Sequence, residues 1–197
     1  MGLVDASIIS AQALTAFRPN VICMAGICAG KEGEVEIGSV LVSEPCWEHQ
    51  AGKWAGDEFK LSHFHENLEQ ATRITISQVI QEDPLLTELS ADLRGIPKFQ
   101  NRGASLSPTA TGSAVIASDI RLEEIQRQHR KLGGLDMEVY GLYRAASLYQ
   151  GEVAYFAAKS VVDFANEKKG DAHHADGATL SARFTCKILK ALLDVRQ

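Results

Sequence analysis

Apolar and polar positions fall into blocks of two periods along this chain. "LVDASIISAQALTAF" carries apolar residues at helical spacing and stops at Arg18-Pro19-Asn20, which predicts a helix over 3–17. "VICMAGICAG" is a continuous apolar run ending in glycine, the pattern of a parallel strand covered on both faces. A second strand is predicted at Val40–Ser43 after a turn at Gly38, and a loop from Pro45 to Asp57. "FHENLEQATRITISQVIQ" and "DPLLTELSADLRG" read as two helices separated at Pro84. "ASLSPTATGSAV" reads as a strand leading into a small-residue turn, and "IRLEEIQRQHRKLGG" as a charged surface helix ending on Gly133-Gly134. "DMEVYGLYRAASLYQG" predicts a helix with Asp136 as its N-cap. Val153–Val162 predicts another buried strand, and "GATLSARFTCKILKALLDV" a closing helix.

Strands alternating with helices, with no repeat or linker between them, imply one α/β domain over 1–197 with a largely parallel sheet. The composition fits: 45 % of residues are apolar and 23 % charged, ordinary for a globular domain. A net charge of −5 argues against nucleic acid or an anionic membrane as partner. No apolar run approaches the ~20 residues of a membrane span, and the start lacks a basic signal-peptide region, so a cytoplasmic protein is expected. Cys23, Cys28, Cys46 and Cys186 are scattered, and the first two sit among apolar residues, as core thiols in a reducing compartment do. Neither "HFH" (His63, Phe64, His65) nor His173-His174 has a third ligand at metal spacing, so no metal and no cofactor is expected.

Parallel sheets bind ligands beyond the carboxyl ends of their strands. Three strand ends here are chemically unusual: "AGICAG", "TATGSA" and Asp163, where an apolar strand ends on an acid. The segment carrying Met137 and Glu138 precedes the last of these.

The ordered set "VICMAGICAG…EIGSVLVSE", "ATGSAV", "LDMEVYGLYRAA" and "FAAKSVVDFAN" resembles the nucleoside phosphorylase/nucleosidase superfamily, which includes the methylthioadenosine/S-adenosylhomocysteine nucleosidases. No single motif is specific; the order is. The resemblance implies a three-layer α/β/α sandwich with a mixed, largely parallel central sheet. It implies cleavage of the N-glycosidic bond of a purine nucleoside or nucleotide. The wording "GLDMEVYGLYRAA" and "KSVVDFANEKKGD" looks most like bacterial phosphorylase-like domains that also occur fused to signalling or defence modules.

Asp163 matches the family's acid at the base. The resemblance implies that its protonated form donates to purine N7, so that the leaving group departs neutral. Burial at the end of an apolar strand disfavours a charged carboxyl, which is what a proton donor needs. The alternative is an Asp that caps the following turn. Glu138 matches the residue that accepts from the ribose hydroxyls, the alternative being a first-turn acid on a helix dipole. Met137 matches the one that packs on the sugar, or else it fills core. Asp136 holds the helix start or touches the sugar, and the cap is favoured. Ala110, Thr111 and Gly112 align with the segment beside the base. The aromatic that often stacks there is missing, with Trp47, Trp54, Phe164 or a partner's residue as substitutes. For each tryptophan, simple packing is the better reading.

Gly26, Ala29 and Gly30 let a backbone approach a ligand, or simply make a tight turn. At Met24 and Ile27, hexameric phosphorylases carry an arginine and a hydroxyl residue that hold phosphate. Their replacement favours water as nucleophile. A phosphorylase is the second reading, and a non-catalytic nucleoside-binding module the third. Lys159 stands where nucleosidases carry an arginine, and pairing with an internal acid is expected. Lys168 and Lys169 suit either a phosphorylated substrate or plain solubility.

The family opens with a strand and hairpin ahead of the first helix seen here. That region supplies a glycine turn and, in nucleosidases, the glutamate that activates water. The resemblance therefore implies either a domain truncated at its N-terminus or one that has lost part of its active site, with a weak or inactive enzyme as one outcome and an unpaired sheet edge in either case. That edge, together with Tyr140, Tyr143, Tyr149, Trp47 and Trp54, predicts a homodimer.

Overall fold

The computed structural model describes residues 2–62, 64–82, 85–94, 103–116, 118–166 and 170–195. His63, Pro84, Lys168 and Lys169 lie outside the described residues.

Helix α1 (Leu3–Phe17) buries Ala6, Ser10 and Leu14 at i, i+4, i+8 and ends on Arg18 in the left-handed conformation, φ 45°. Strand β1 (Val21–Gly30) follows. Strand β2 (Val40–Glu48) runs through the proline into the predicted loop. Its ladder slips between Ser43 and Cys46 and then resumes, with Cys46 and Trp47 fully buried. The remainder of the predicted loop opens a hairpin, β3 (Gly52–Ala55) and β4 (Glu58–Leu61). The two-residue β5 (His65–Glu66) pairs with β2, so helix α2 (Gln70–Ile80) starts later than its apolar pattern suggests. Helix α3 (Leu85–Leu89) is short. Strand β6 (Ala104–Thr111) lies parallel to β2, and helix α4 (Asp119–Gln126) stops well before Gly133. Strand β7 (Gly134–Asp136) displaces the predicted start of the next helix, α5 (Val139–Ser147). Strand β8 (Ala154–Asp163) and helix α6 (His174–Val195) complete the chain.

The main sheet runs β5-β2-β6-β7-β1-β8, with β8 also pairing antiparallel to β2 at Val40–Val42. It thus curls back on itself, mixed but largely parallel as expected: the long ladders β1–β8 and β2–β6, with β6–β7, are parallel, and the shorter β1–β7, β2–β5 and β2–β8 pairings are antiparallel. Along Val21–Cys28, β1 has β8 on one side and no described strand on the other. β8 is buried at nine of its ten positions, as its continuous apolar run requires, whereas β1, read as covered on both faces, is mostly half-buried. Helices cover the sheet on both sides, α1 packing on α5, and α6 packing on β1 and β8.

Tyr143 ties the layers together. Its hydroxyl donates to Ser43 O (2.9 Å) and accepts from Ala157 N–H (3.0 Å), with the side chain fully buried. Tyr143→Phe leaves two buried backbone groups without partners and is expected to destabilise the fold by about 1–3 kcal/mol. A urea midpoint unchanged from the wild type contradicts this. Tyr143 and Trp47 are both 0 % exposed, so neither supplies an interface aromatic. Trp54, by contrast, is 65 % exposed against Phe59 on the hairpin.

Candidate active site

The carboxyl ends of β1, β7 and β8 open into a cavity of about 190 Å³. Its wall combines Ile27–Ala29, His49, Ala114–Ile116, Leu135–Glu138, Val162, Asp163, Ala165 and His174. Asp163, Glu138, Met137 and Ile27, picked from the sequence, therefore face one space.

Asp163 closes β8 opposite Ala29 of β1 and is 7 % exposed. Its Oδ1 accepts from Ala165 N–H at 2.8 Å, the geometry of a capped turn. The cap and the cavity position occur together, so the two readings of this residue are not exclusive. Gly177 lets α6 sit on this strand end, for a Cβ there would lie 2.4 Å from a methyl of Val162. Ser181 of α6 adds a clamp, accepting from Gly26 N–H at 2.8 Å and donating to Ala158 O at 2.7 Å.

Asp136 is the last residue of β7. Its Oδ2 accepts from the N–H groups of Glu138 (3.1 Å) and Val139 (2.9 Å), so it caps α5 without being the residue that begins it. Its Oδ1 accepts from the Thr111 hydroxyl, 2.6 Å away. Lys159 reaches this cluster from β8, with Nζ 3.0 Å from Glu138 Oε2 and 3.4 Å from Asp136 Oδ2. The expected pairing of Lys159 with an internal acid is present. Burial works against its ammonium, but the carboxylates of Asp136 and Glu138 outweigh it and raise the lysine above its ordinary value.

Several candidates stand elsewhere. Ala110 and Thr111 are fully buried in β6, and Thr111 spends its hydroxyl on Asp136. Gly112 packs under His49, where a Cβ would meet the imidazole at 2.0 Å. The wall comes from the next turn, Ala114–Ile116, because β6 ends before it reaches the cavity. Gly26 faces Lys159 rather than the cavity, with Nζ 3.1 Å from where its Cβ would be. Phe164 turns away and packs on the cluster of Cys28, Leu41 and Val161. Trp47 donates its indole N–H to Gln128 Oε1 (3.0 Å) in the core and does not line the wall.

Sequence reasoning missed His49 and His174. His49 follows the buried Trp47 inside a segment read as loop, and the paired histidines at 173–174 look like solvated surface. The structure puts His174 at the first turn of α6, on the cavity wall. His49 is 8 % exposed, and burial holds its imidazole below the ordinary value. As pH falls, the unfolded chain takes up this proton first, so the associated stability is full above about pH 6.5 and declines below it. His49→Gln is expected to lose less melting temperature between pH 7 and pH 5 than the wild type. Equal losses in the two proteins rule this out.

Among the described residues no helix is long and apolar enough to cross a membrane, and no group of three His, Cys, Asp or Glu side chains is placed to hold a metal ion.

A curled mixed sheet between helical layers, with an acid-ended strand and a Met-Glu pair at one cavity, defines the nucleoside phosphorylase and nucleosidase fold class. The chain belongs to the phosphorylase superfamily, whose model matches residues 1–194. It is similar to the protein y4jS of Sinorhizobium fredii, at 28 % identity over 98 % of this chain and 48 % of that protein. It is also similar to the ATP nucleosidase Cap17 of Escherichia coli, at 26 % identity over 96 % of this chain and 39 % of that protein. The chain thus spans less than half the length of these two curated relatives. The fold matches the 5'-methylthioadenosine/S-adenosylhomocysteine nucleosidase of Neisseria meningitidis in complex with methylthio-immucillin-A. That match has a TM-score of 0.75 at 14 % identity and covers 97 % of this chain and 78 % of that one.

Proposed function

We propose that the chain is the catalytic domain of a purine nucleosidase, hydrolysing the N-glycosidic bond of a nucleoside or nucleotide to free base and a ribosyl product. The observation that carries this reading is Asp163 and Glu138 on one small cavity. Asp163 protonates purine N7 as the bond breaks, and the base leaves neutral. Glu138 accepts from the sugar hydroxyls, and Met137 packs on the ring. The Ala114–Ile116 turn borders the base, with Val115 and Ile116 giving an apolar wall in place of a stacking aromatic.

Water as nucleophile is supported by the wall itself. Among its described residues there is no arginine or lysine, and Ile27 offers phosphate no donor side chain. The relatives suggest two substrate types: methylthioadenosine or S-adenosylhomocysteine, and a purine nucleotide. We further propose a cytoplasmic homodimer, with the exposed Trp54 hairpin at or near the contact.

The test is a chromatographic screen for free base over purine nucleosides and nucleotides, with and without phosphate. Phosphate-independent release of base supports the hydrolase. Strictly phosphate-dependent release replaces it with the phosphorylase, and binding without release in either condition replaces it with a binding module.

A further inference from the structure

Lys159 interrupts a strand whose neighbours, Ala157, Ala158, Ser160 and Val161, are all fully buried. An ammonium in such a place is costly unless carboxylates compensate it. Asp136 is one partner, yet Asp136 already has the Thr111 hydroxyl on one oxygen and two backbone N–H groups on the other. Glu138 is different. Its backbone N–H is held by Asp136, while among the described residues its carboxylate meets only Lys159. The lysine is itself confined, its stem running past Gly26, where a Cβ would lie 3.3 Å from Cδ. The chain of contacts Thr111–Asp136–Lys159–Glu138 therefore ends at one carboxylate on the cavity wall, with Oε2 held and Oε1 left to accept.

We propose that Lys159 is a positioning residue for the sugar site, fixing the Glu138 carboxylate so that its second oxygen is preset to accept from a ribose hydroxyl. This rests on the reading of Glu138 as the sugar acceptor. A glutamate free to rotate forfeits the entropy of ordering its side chain each time it binds ligand, and one already held by Lys159 does not. Lys159 acts through Glu138 and not on the base.

The test is a double-mutant cycle read by calorimetry, with adenosine and free adenine as probes. The proteins are wild type, Lys159→Met, Glu138→Gln and the double variant. Lys159→Met is expected to weaken adenosine binding about 10–30-fold, the equivalent of one long side chain left unfixed. Adenine binding is expected to stay within about twofold. In the Glu138→Gln background the same change is expected to add little, because the residue it positions is gone. Lys159→Arg, which keeps a cationic donor, is expected to recover most of the loss. Should Lys159→Met show no cooperative melting, Lys159→Gln carries the same cycle. Equal losses for adenosine and adenine, or additive effects in the cycle, overturn the proposal for Lys159 alone. A wild type that prefers adenine to adenosine overturns the sugar reading, and this proposal with it.

Discussion

Asp163→Asn is expected to abolish release of free base and to leave the fold intact. The carboxyl closes a buried strand, faces the cavity and is 7 % exposed. Its Oδ1 also accepts from Ala165 N–H at 2.8 Å. An asparagine keeps that acceptor and the shape, so the turn at Ala165, with its φ of 54°, is retained. What it cannot do is hand a proton to a departing purine nitrogen. A positioned acid of this kind contributes about 10²–10⁴-fold, so turnover is expected to fall by that much. Chromatography of released base, with a melting curve on the same sample, reads both halves.

The alternative, that Asp163 is only a cap, makes a different forecast. A cap is replaced by asparagine at little cost, and turnover then stays near the wild-type rate. Asp163→Ala separates the roles further, because it removes the acceptor as well as the proton. If the cap matters to the fold, Asp163→Ala lowers the melting temperature where Asp163→Asn does not. Wild-type turnover in Asp163→Asn removes the residue from the mechanism.

The elements that sequence patterning located well are those whose burial is uniform. α1 and β8 each carry one unbroken signal, a helical stripe and an apolar run, and the structure places both within a residue of expectation. The misplaced elements are those whose form depends on distant pairing. Trp47 looks like a loop residue because proline precedes it and polar residues follow it. Only the β6 ladder beside it, and Gln128 some 81 positions away, explain its full burial. Asp136 reads as a helix N-cap, and its carboxylate does cap α5. Yet its backbone pairs with Thr111 of β6, a strand that no local pattern connects to it. The same limit governs the site. Asp163 stands out as an acid at the end of an apolar strand, whereas Glu138 is legible only through the family resemblance of "DME". Gly26, Ala110 and Thr111 sit in equally suggestive motifs, but which way each position faces follows from the sheet's pairing. His174 becomes a wall residue only because Gly177 lets α6 close on β8.

Glu138→Gln is expected to weaken nucleoside binding much more than free-base binding. Replacement by alanine is the poorer experiment, because it takes away the carboxylate 3.0 Å from a lysine whose side chain is 5 % exposed. An ammonium stripped of a partner in such a place destabilises the fold, and lost affinity then reports misfolding as much as lost recognition. Glutamine keeps the volume and leaves an amide oxygen for Lys159, while Asp136 still compensates the charge from 3.4 Å. What disappears is a charged acceptor for the sugar hydroxyls. Charge-assisted hydrogen bonds are worth roughly 1.5–3 kcal/mol, so nucleoside affinity is expected to fall about tenfold to a hundredfold. Free adenine has no hydroxyls to offer, and its affinity is expected to change little. Calorimetry with both ligands on one preparation gives the ratio directly. An equal loss for the two ligands removes Glu138 from sugar recognition and leaves it a structural partner of Lys159.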